Sequence, residues 1–310
     1  MARVGSRPTP TMATRPLLPP IWREIWRHRL EYLFVSPFFV IFGIFHLYPL
    51  LWAFYLSFQR WSGFGPMVFV GLDDYRAVFT EAQVQQALLN TLIFAVVLVP
   101  TGILLSLTFA VLLNRRDLRG RGVLRTIYFL PFITSAVIVA FVFQMLFDNS
   151  YGWINDLLKA LNLTPLKWFS VGALAKVVIV VLAHWRGLGY STLIMLGGLQ
   201  GIAPDVYEAA AIDGAGRWRI FWDVTVPLMR PVMLFVTVIG TIGVLNMFNE
   251  PFILTQGGPG NATLTLTLRL YQLAFQTTRY GDGAALGFLI GVLIVAITMT
   301  QMRLLRSWRQ

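Results

Sequence analysis

Long apolar runs recur along the chain and constrain its fold more than any other feature. A helix needs about 20 consecutive apolar residues to cross the hydrocarbon core of a bilayer. Runs of this kind lie near residues 33–58, 89–113, 124–147, 173–198, 232–254 and 284–302. They lack the polar–apolar alternation of membrane-barrel strands. The sequence therefore predicts an all-α membrane protein with six transmembrane helices.

The positive charges are distributed unevenly between the two sides that six spans would define. Both termini lie on one side, which carries 17 of the 25 Lys and Arg residues, in the tail, the 115–125 loop, the 217–230 stretch and the C-terminus. The opposite side carries 6. Because cytoplasmic loops accumulate Lys and Arg, we expect cytoplasmic termini in a bacterial inner membrane. Topology thus accounts for the net charge of +11, and no nucleic-acid partner is needed to explain it.

The segments outside the spans are short. Residues 1–30 form a basic tail whose last part, IWREIWRHRL, is typical of a helix lying on the membrane surface next to lipid headgroups. Residues 31–310 form one six-helix membrane domain. Helical spacing of apolar residues predicts two short external helices before the second span and one within residues 148–169.

The sequence lacks the signatures of several kinds of chemistry. No phosphate-binding G-x-x-x-x-G-K-[ST] loop exists, and the three histidines are too scattered for a metal site or a histidine-based relay. We therefore expect a non-catalytic subunit with no cofactor of its own. An ion-coupled secondary carrier is the alternative, weakened because no acidic residue lies in the middle of a span. A membrane enzyme would need a nucleophile–base or metal constellation, which is missing.

Residues 208–231, EAAAIDGAGRWRIFWDVTVPLMRP, separate two apolar runs. Pro204 suits the first position of a helix, and Gly214 can end that helix in a left-handed conformation. The alanines between them present almost no side-chain bulk. In the segment that follows, we expect Trp218, Phe221 and Trp222 to share one face. The pattern is typical of a helix that docks into another protein, while a helix lying on lipid headgroups remains the alternative.

This stretch resembles the EAA motif of permease subunits in binding-protein-dependent ABC importers. The matching residues are Glu208-Ala209-Ala210, then Gly214, then Val224-x-Val226-Pro227, where the family usually has Ile-x-Leu-Pro. Three further stretches resemble the maltose-type carbohydrate branch: FVGLDDY (69–75), HWRGLGYSTLIMLGGLQGIAPDVYEAAAIDGA (184–215) and NEPFILTQGGPGNATLTL (249–266). The resemblance extends from the first span to the end of the chain.

The resemblance implies a type I ABC importer permease fold with a coupling loop at 200–230. In that family the loop carries a helix that sits in a cleft of a cytoplasmic ATPase subunit. The residues that would couple to the ATPase are Glu208, Ala209, Ala210, Asp213, Gly214, Trp218, Phe221 and Pro227. The implied partners are a second permease subunit (a different chain is favoured), two ATPase subunits that hold ATP and Mg, and an extracytoplasmic solute-binding protein.

Polar and aromatic residues within the spans are candidates for the substrate path. Arg186 lies about 10 residues into the fourth span, hence roughly 15 Å deep, where a charge needs a water-filled cavity or a partner. Sugars bind to such polar groups and to aromatic rings. The candidates are His184, Trp185, Arg186 and Tyr190, with Asn246, Asn249 and Glu250 on one face of the fifth span and Tyr128 and Gln144 as weaker ones. Contacts with the second permease or caps of helix ends are the alternative roles, and the identity of the sugar or polyol derivative is left open.

Overall fold

The computed structural model describes residues 27–115 and 120–306. Most of the predicted basic tail, including residues 21–26 of the surface helix, lies outside these ranges. The chain divides into two compact units, residues 1–53 and residues 54–310. In the first unit, the rings of Phe38, Phe42 and His46 stack one helical turn apart, with centroids 6.1 and 5.5 Å from each other.

The described chain is mostly helical. Its helices are α1 (Arg29–Leu56), α2 (Asp73–Thr80), α3 (Ala82–Asn114), α4 (Arg121–Ile133), α5 (Ala136–Leu146), α6 (Trp153–Ala160), α7 (Gly172–Gln200), α8 (Pro204–Ile212), α9 (Arg217–Leu245), α10 (Asn249–Thr255), α11 (Leu266–Tyr271) and α12 (Tyr280–Arg306). Strands β1 (Gln59–Arg60) and β2 (Val68–Phe69) form an antiparallel hairpin. Five helices, α1, α3, α7, α9 and α12, are long and apolar enough to span a membrane. The α4–α5 pair supplies a sixth crossing if it is counted as one span, so the predicted fold class is confirmed.

The third predicted span, residues 124–147, is not one straight helix as expected. The structure breaks it into α4 and α5, whose axes meet at 93°. Pro131 lies in the last turn of α4, where it has no N–H to donate to the helix. Thr134 then adopts an extended backbone conformation, and its hydroxyl donates to the Pro131 carbonyl at 2.7 Å.

The fifth span also differs from the prediction. It begins at Arg217 and ends at Leu245, whereas the apolar run had placed it at 232–254. Asn246 is the C-cap, and a separate helix, α10, starts at Asn249. The expectation that Asn246, Asn249 and Glu250 share one helical face is therefore wrong.

The short external helices are only partly as predicted. Helix α6 forms where the spacing indicated it, but only one short helix, α2, precedes the second span. The residues that were expected to form another short helix are the first turns of α3 itself, which begins at Ala82.

Three buried clusters hold the second unit together. One joins α3, α5 and α7 with residues 247 and 254 through side chains such as Phe94, Phe143 and Ile179. A second joins α2, α3, α11 and α12, and the third joins the ends of α3 and α7 to α9. The contact between α3 and α7 is the most extensive between any two helices. Many large apolar side chains on the span helices remain exposed, as lipid-facing surfaces require.

A buried asparagine organises the segment between α5 and α7. The Asn155 carbonyl oxygen accepts from the Leu166 backbone N–H and from Trp168 Nε1, both at 3.0 Å. Its amide donates to the carbonyls of Asn149 and Leu166 at 3.1 and 3.0 Å. One side chain therefore satisfies several buried groups of a loop that has little regular structure.

We expect Asn155→Ala to destabilise the protein by about 2 kcal/mol, because it leaves buried donors and acceptors without partners. The midpoint of thermal unfolding of the purified complex measures this. Lys159→Ala on the exposed face of the same helix is the control, and its effect should stay within about 0.5 kcal/mol. Equal midpoints for the two variants would contradict the organising role of Asn155.

A buried carboxyl lies next to the N-terminus of α12. Asp74 has a side chain only 4% exposed and lies 3.7 Å from Arg60 Nη2. Burial, followed by repulsion from Asp282, raises the pKa of Asp74 above its ordinary value, while Arg60 and Arg279 act in the opposite direction. Since the folded state holds this proton more tightly than the unfolded state, this group's contribution to stability decreases as pH rises through the raised pKa.

Asp74→Asn is therefore expected to raise the thermal midpoint at neutral pH, because it removes the cost of a buried charge. The gap between variant and parent should shrink as the pH falls through the acidic range. Asp73→Asn, which changes a neighbouring carboxylate that is 63% exposed, should show no such pH-dependent gap. A loss of stability in Asp74→Asn that is largest at neutral pH and disappears as the pH falls would show that the Arg60 contact outweighs the burial.

Candidate coupling element and translocation cavity

Helix α8 has the start and stop that the sequence predicted. Pro204 occupies the first turn after Ala203, whose backbone is extended. At the other end Gly214 has φ +78°, and its N–H donates to the Ala211 carbonyl at 3.1 Å. The Ala215 N–H donates to the Ala210 carbonyl at 3.0 Å. These two bonds form a Schellman motif, which needs a left-handed residue at the position of Gly214.

The surface of α8 is largely exposed. None of its residues is buried, and Glu208, Ala209, Asp213 and Gly214 are all exposed. Ile212 is 86% exposed, which is unusual for so large an apolar side chain. The helix thus combines alanines of low bulk with an exposed apolar residue at its C-terminal end.

The aromatic segment after α8 does not present one face as expected. Residues 220–225 form a π-helical turn at the start of α9, and this turn changes the side-chain phase. Trp218 and Trp222 are 77% and 57% exposed, but Phe221 packs against the cluster that joins α3, α7 and α9. The exposed aromatic surface therefore consists of Trp218 and Trp222. Pro227, another predicted coupling residue, lies in the first turn of the α-helical part of α9.

Helix α8 packs against the π-helical turn at the start of α9, and its single tyrosine contributes to this contact. The Tyr207 hydroxyl lies 3.5 Å from Thr225 Oγ1 in the π-helical turn, and Thr225 also donates to the Ile220 carbonyl at 3.3 Å. Thr225 is buried. A displacement of α8 would therefore act directly on the beginning of α9.

A cavity of about 280 Å³ lies among the span helices. Its walls come from α3, α4, α7 and α9 and from the segment that follows α9. Three of the predicted path residues, His184, Arg186 and Glu250, line it. The remaining wall is made of glycines, Ser191 and apolar side chains: Leu98, Gly102, Phe132, Ala183, Gly187, Leu188, Gly240, Gly243, Val244 and Met247.

Two of the lining residues, Arg186 on α7 and Glu250 on α10, form an ion pair in the cavity wall. Arg186 Nη1 donates to Glu250 Oε1 at 2.6 Å, with the two side chains 21% and 13% exposed. The sequence placed Arg186 at a depth that requires a partner, and the partner is 64 residues further along the chain. His184 has its own contacts, since Nδ1 lies 2.9 Å from the Val180 carbonyl and Nε2 lies 2.9 Å from the Thr101 hydroxyl.

The other predicted path residues lie elsewhere. The ring centroid of Trp185 lies 5.8 Å from that of Phe143. Tyr190 stacks on the cavity residue Phe132, with the ring centroids 4.8 Å apart. Asn246 donates to the Ile242 carbonyl at 2.9 Å and so caps its own helix, while Asn249 is exposed at the start of α10. Of the weaker candidates, Tyr128 packs against Phe109 and Gln144 lines a different cavity with Phe169 and Gln256.

Sequence reasoning missed the small residues of the cavity. Gly240 and Gly243 lie three apart on α9 and Gly102 lies on α3, where they leave open space between helices. These glycines are recognisable within the apolar runs of the sequence. Small residues in membrane helices also allow neighbouring helices to pack closely, so glycines alone did not indicate a path. Pro100, two residues before Gly102 inside α3, was a further local signal.

Comparisons with known proteins agree with this architecture. The model of the family described as "Binding-protein-dependent transport system inner membrane component" matches residues 99–308. The trehalose/maltose transport system permease protein of Thermococcus litoralis is 34% identical over 91% of this chain and 95% of its own length. The lactose transport system permease protein of Rhizobium radiobacter is 36% identical over 87% and 92% of the two chains. The arabinooligosaccharides transport system permease protein of Bacillus subtilis is 33% identical over 93% of each.

Solved structures show the same fold. A bacterial ABC transporter involved in the import of the acidic polysaccharide alginate has a chain that superposes with a TM-score of 0.81 at 24% identity, covering 93% of this chain and 98% of that one. A second structure, of an alginate ABC transporter in complex with an alginate pentasaccharide-bound periplasmic protein, gives 0.79 at 25% identity, covering 91% and 95%. With its apolar span helices, this multi-pass chain belongs to the family of inner membrane components of binding-protein-dependent transport systems, as a permease subunit.

Proposed function

We propose that the chain forms half of the translocation path of an ATP-driven importer for a carbohydrate. The observation that carries the proposal is the geometry of α8, an exposed helix that ends in a Schellman motif and contacts the span helices at Tyr207 and Thr225. A helix built in this way can receive force from a soluble partner and pass it to α9. Helix α8 contacts the N-terminal end of α9, and the C-terminal part of α9 lines the cavity with α3 and α7.

The partner at α8 is an ATPase subunit that holds ATP and Mg. Glu208, Ala209, Ala210 and Gly214 match the motif that contacts such a subunit, and the exposed Ile212 and Trp218 add apolar surface for the contact. One chain supplies one such helix, so a second permease subunit and two ATPase subunits complete the particle. A different chain is favoured as the second permease.

The orientation follows from the charge distribution. With six spans, α8 falls on the same side of the membrane as both termini, and the sequence assigns 17 of the 25 Lys and Arg residues to that side, which favours the cytoplasm. The β1–β2 hairpin, α2 and α6 then face the outside, where an extracytoplasmic binding protein delivers the substrate.

Two observations support a carbohydrate as the substrate. Three relatives are named as permease proteins of transport systems for trehalose/maltose, lactose and arabinooligosaccharides. The cavity also combines a carboxylate–guanidinium pair with an aromatic ring, Phe132, a combination that suits sugar hydroxyls and the apolar face of a sugar ring.

Uptake of radiolabelled sugar into proteoliposomes tests the proposal. The complete particle, reconstituted with internal ATP and its binding protein, should accumulate sugar with no ion gradient present. Removal of ATP, with an imposed ion gradient kept constant, should stop accumulation. Continued accumulation without ATP would instead support the ion-coupled carrier.

A further inference from the structure

The ionisable groups that line the cavity already have partners within the chain. Among the described lining residues these groups are His184, Arg186 and Glu250. The Arg186 guanidinium bonds to the Glu250 carboxylate at 2.6 Å. Both ring nitrogens of His184 lie within 2.9 Å of protein oxygen atoms. A ligand in this cavity therefore meets no cationic side chain that lacks a protein partner.

The interaction energy of a ligand with the Arg186–Glu250 ion pair depends on whether the ligand carries a charge. A carboxylate, sulfonate or phosphate that approached Arg186 would also approach Glu250, so attraction and repulsion would largely cancel. The anion would still lose its hydration, which is costly in a partly enclosed site. A hydroxyl group avoids this cost, because it can donate to the Glu250 carboxylate and accept from the guanidinium.

We propose that the Arg186–Glu250 pair makes this cavity selective for uncharged carbohydrate over uronates, sulfonated sugars and sugar phosphates. The proposal rests on the proposed function for the identity of the ligand class. It makes Glu250 a specificity-determining residue, because Glu250 cancels the charge that would otherwise attract anionic sugars. It also removes the phosphate-binding role that Arg186 alone could have suggested.

Thiol labelling can measure the charge of the cavity. The chain has no cysteine, so a single Ser191→Cys substitution places one near-isosteric thiol on the cavity wall. The purified particle is treated with sulfonatoethyl, trimethylammonioethyl or uncharged methyl methanethiosulfonate. Mass spectrometry of the peptide that contains residue 191 gives the three rates. The uncharged reagent supplies the reference rate, and Gly243→Cys on the facing helix repeats the measurement at a second position of the wall.

With the pair intact, we expect the anionic-to-cationic rate ratio to lie close to that of free cysteine. Glu250→Gln should raise this ratio about tenfold by exposing the Arg186 charge, and Arg186→Gln should lower it by a similar factor. A ratio that already favours the anionic reagent about tenfold in the intact pair would overturn the proposal. So would a ratio that Glu250→Gln leaves unchanged at both thiol positions. Labelling needs no ATP, so failure of ATP-driven uptake would refute the proposed function and leave this result standing.

Discussion

Gly214→Asp is expected to reduce ATP-driven uptake by a factor between about five and about thirty, since a strain of about 1–2 kcal/mol corresponds to that range. Gly214 has φ +78°, a conformation that costs a residue with a Cβ about 1–2 kcal/mol. An aspartate also places negative charge at the C-terminal end of α8, where the helix dipole is already negative. Loss of the Schellman bonds would change the shape of the surface that the ATPase subunit contacts.

Two control variants separate strain from charge. Gly214→Asn should retain more of the uptake than Gly214→Asp, because asparagine sometimes replaces glycine at this helix-ending position and carries no charge. Gly216→Asp adds the same charge two residues later, where φ is −71° and a Cβ would meet nothing within 4 Å. The measurement is sugar uptake by proteoliposomes beside ATP hydrolysis by the same preparation. Equal impairment by Gly216→Asp would attribute the effect to charge alone and contradict the role of the backbone.

Gly189→Leu is expected to cost about 3 kcal/mol or more and to prevent the particle from assembling, because α7 and α4 touch backbone to backbone at this point. A Cβ on Gly189 would lie 2.3 Å from the Tyr128 carbonyl oxygen and 3.1 Å from Phe129 Cα. Backbone atoms cannot rotate away as a flexible side chain can. The two helices would therefore have to separate along their whole contact.

Gly197→Leu is the matched control on the same helix. A Cβ at residue 197 would meet nothing within 4 Å, and leucine favours helix over glycine by nearly 1 kcal/mol. The yield of monodisperse particle after detergent extraction and its thermal midpoint report both effects. A normal yield for Gly189→Leu would show that α4 moves freely relative to α7, contrary to the contact described.

Features set by local signals were predicted correctly from the sequence. Helix α8 begins and ends where Pro204 and Gly214 indicated, because both residues act through their own backbone geometry. Features that depend on distant residues were not predicted. The partner of Arg186 is Glu250, and no spacing rule relates residues 64 positions apart on different helices.

Other differences between prediction and structure arose because the hydropathy of a long run does not show a local break in the helix. Hydropathy treats residues 124–147 as one run, although Pro131 and the extended Thr134 end a helix within it. The apolar run from 232 continues past Leu245 because FILT of α10 is itself apolar. Phe221 turned inward because the π-helical turn at 220–225 alters the phase that a regular helix would keep.

The right-angled bend between α4 and α5 has a consequence for the biogenesis of the protein. At 1.5 Å per residue, the 13 residues of α4 and the 11 of α5 reach only about 20 and 17 Å, less than the hydrocarbon thickness of about 30 Å. Neither arm can hold a transmembrane position alone. Helix α4 packs against α7 at Gly189, and α7 leaves the ribosome later. Nascent chains that stop before α7 should therefore leave residues 121–146 sensitive to protease, and chains that include α7 should protect them.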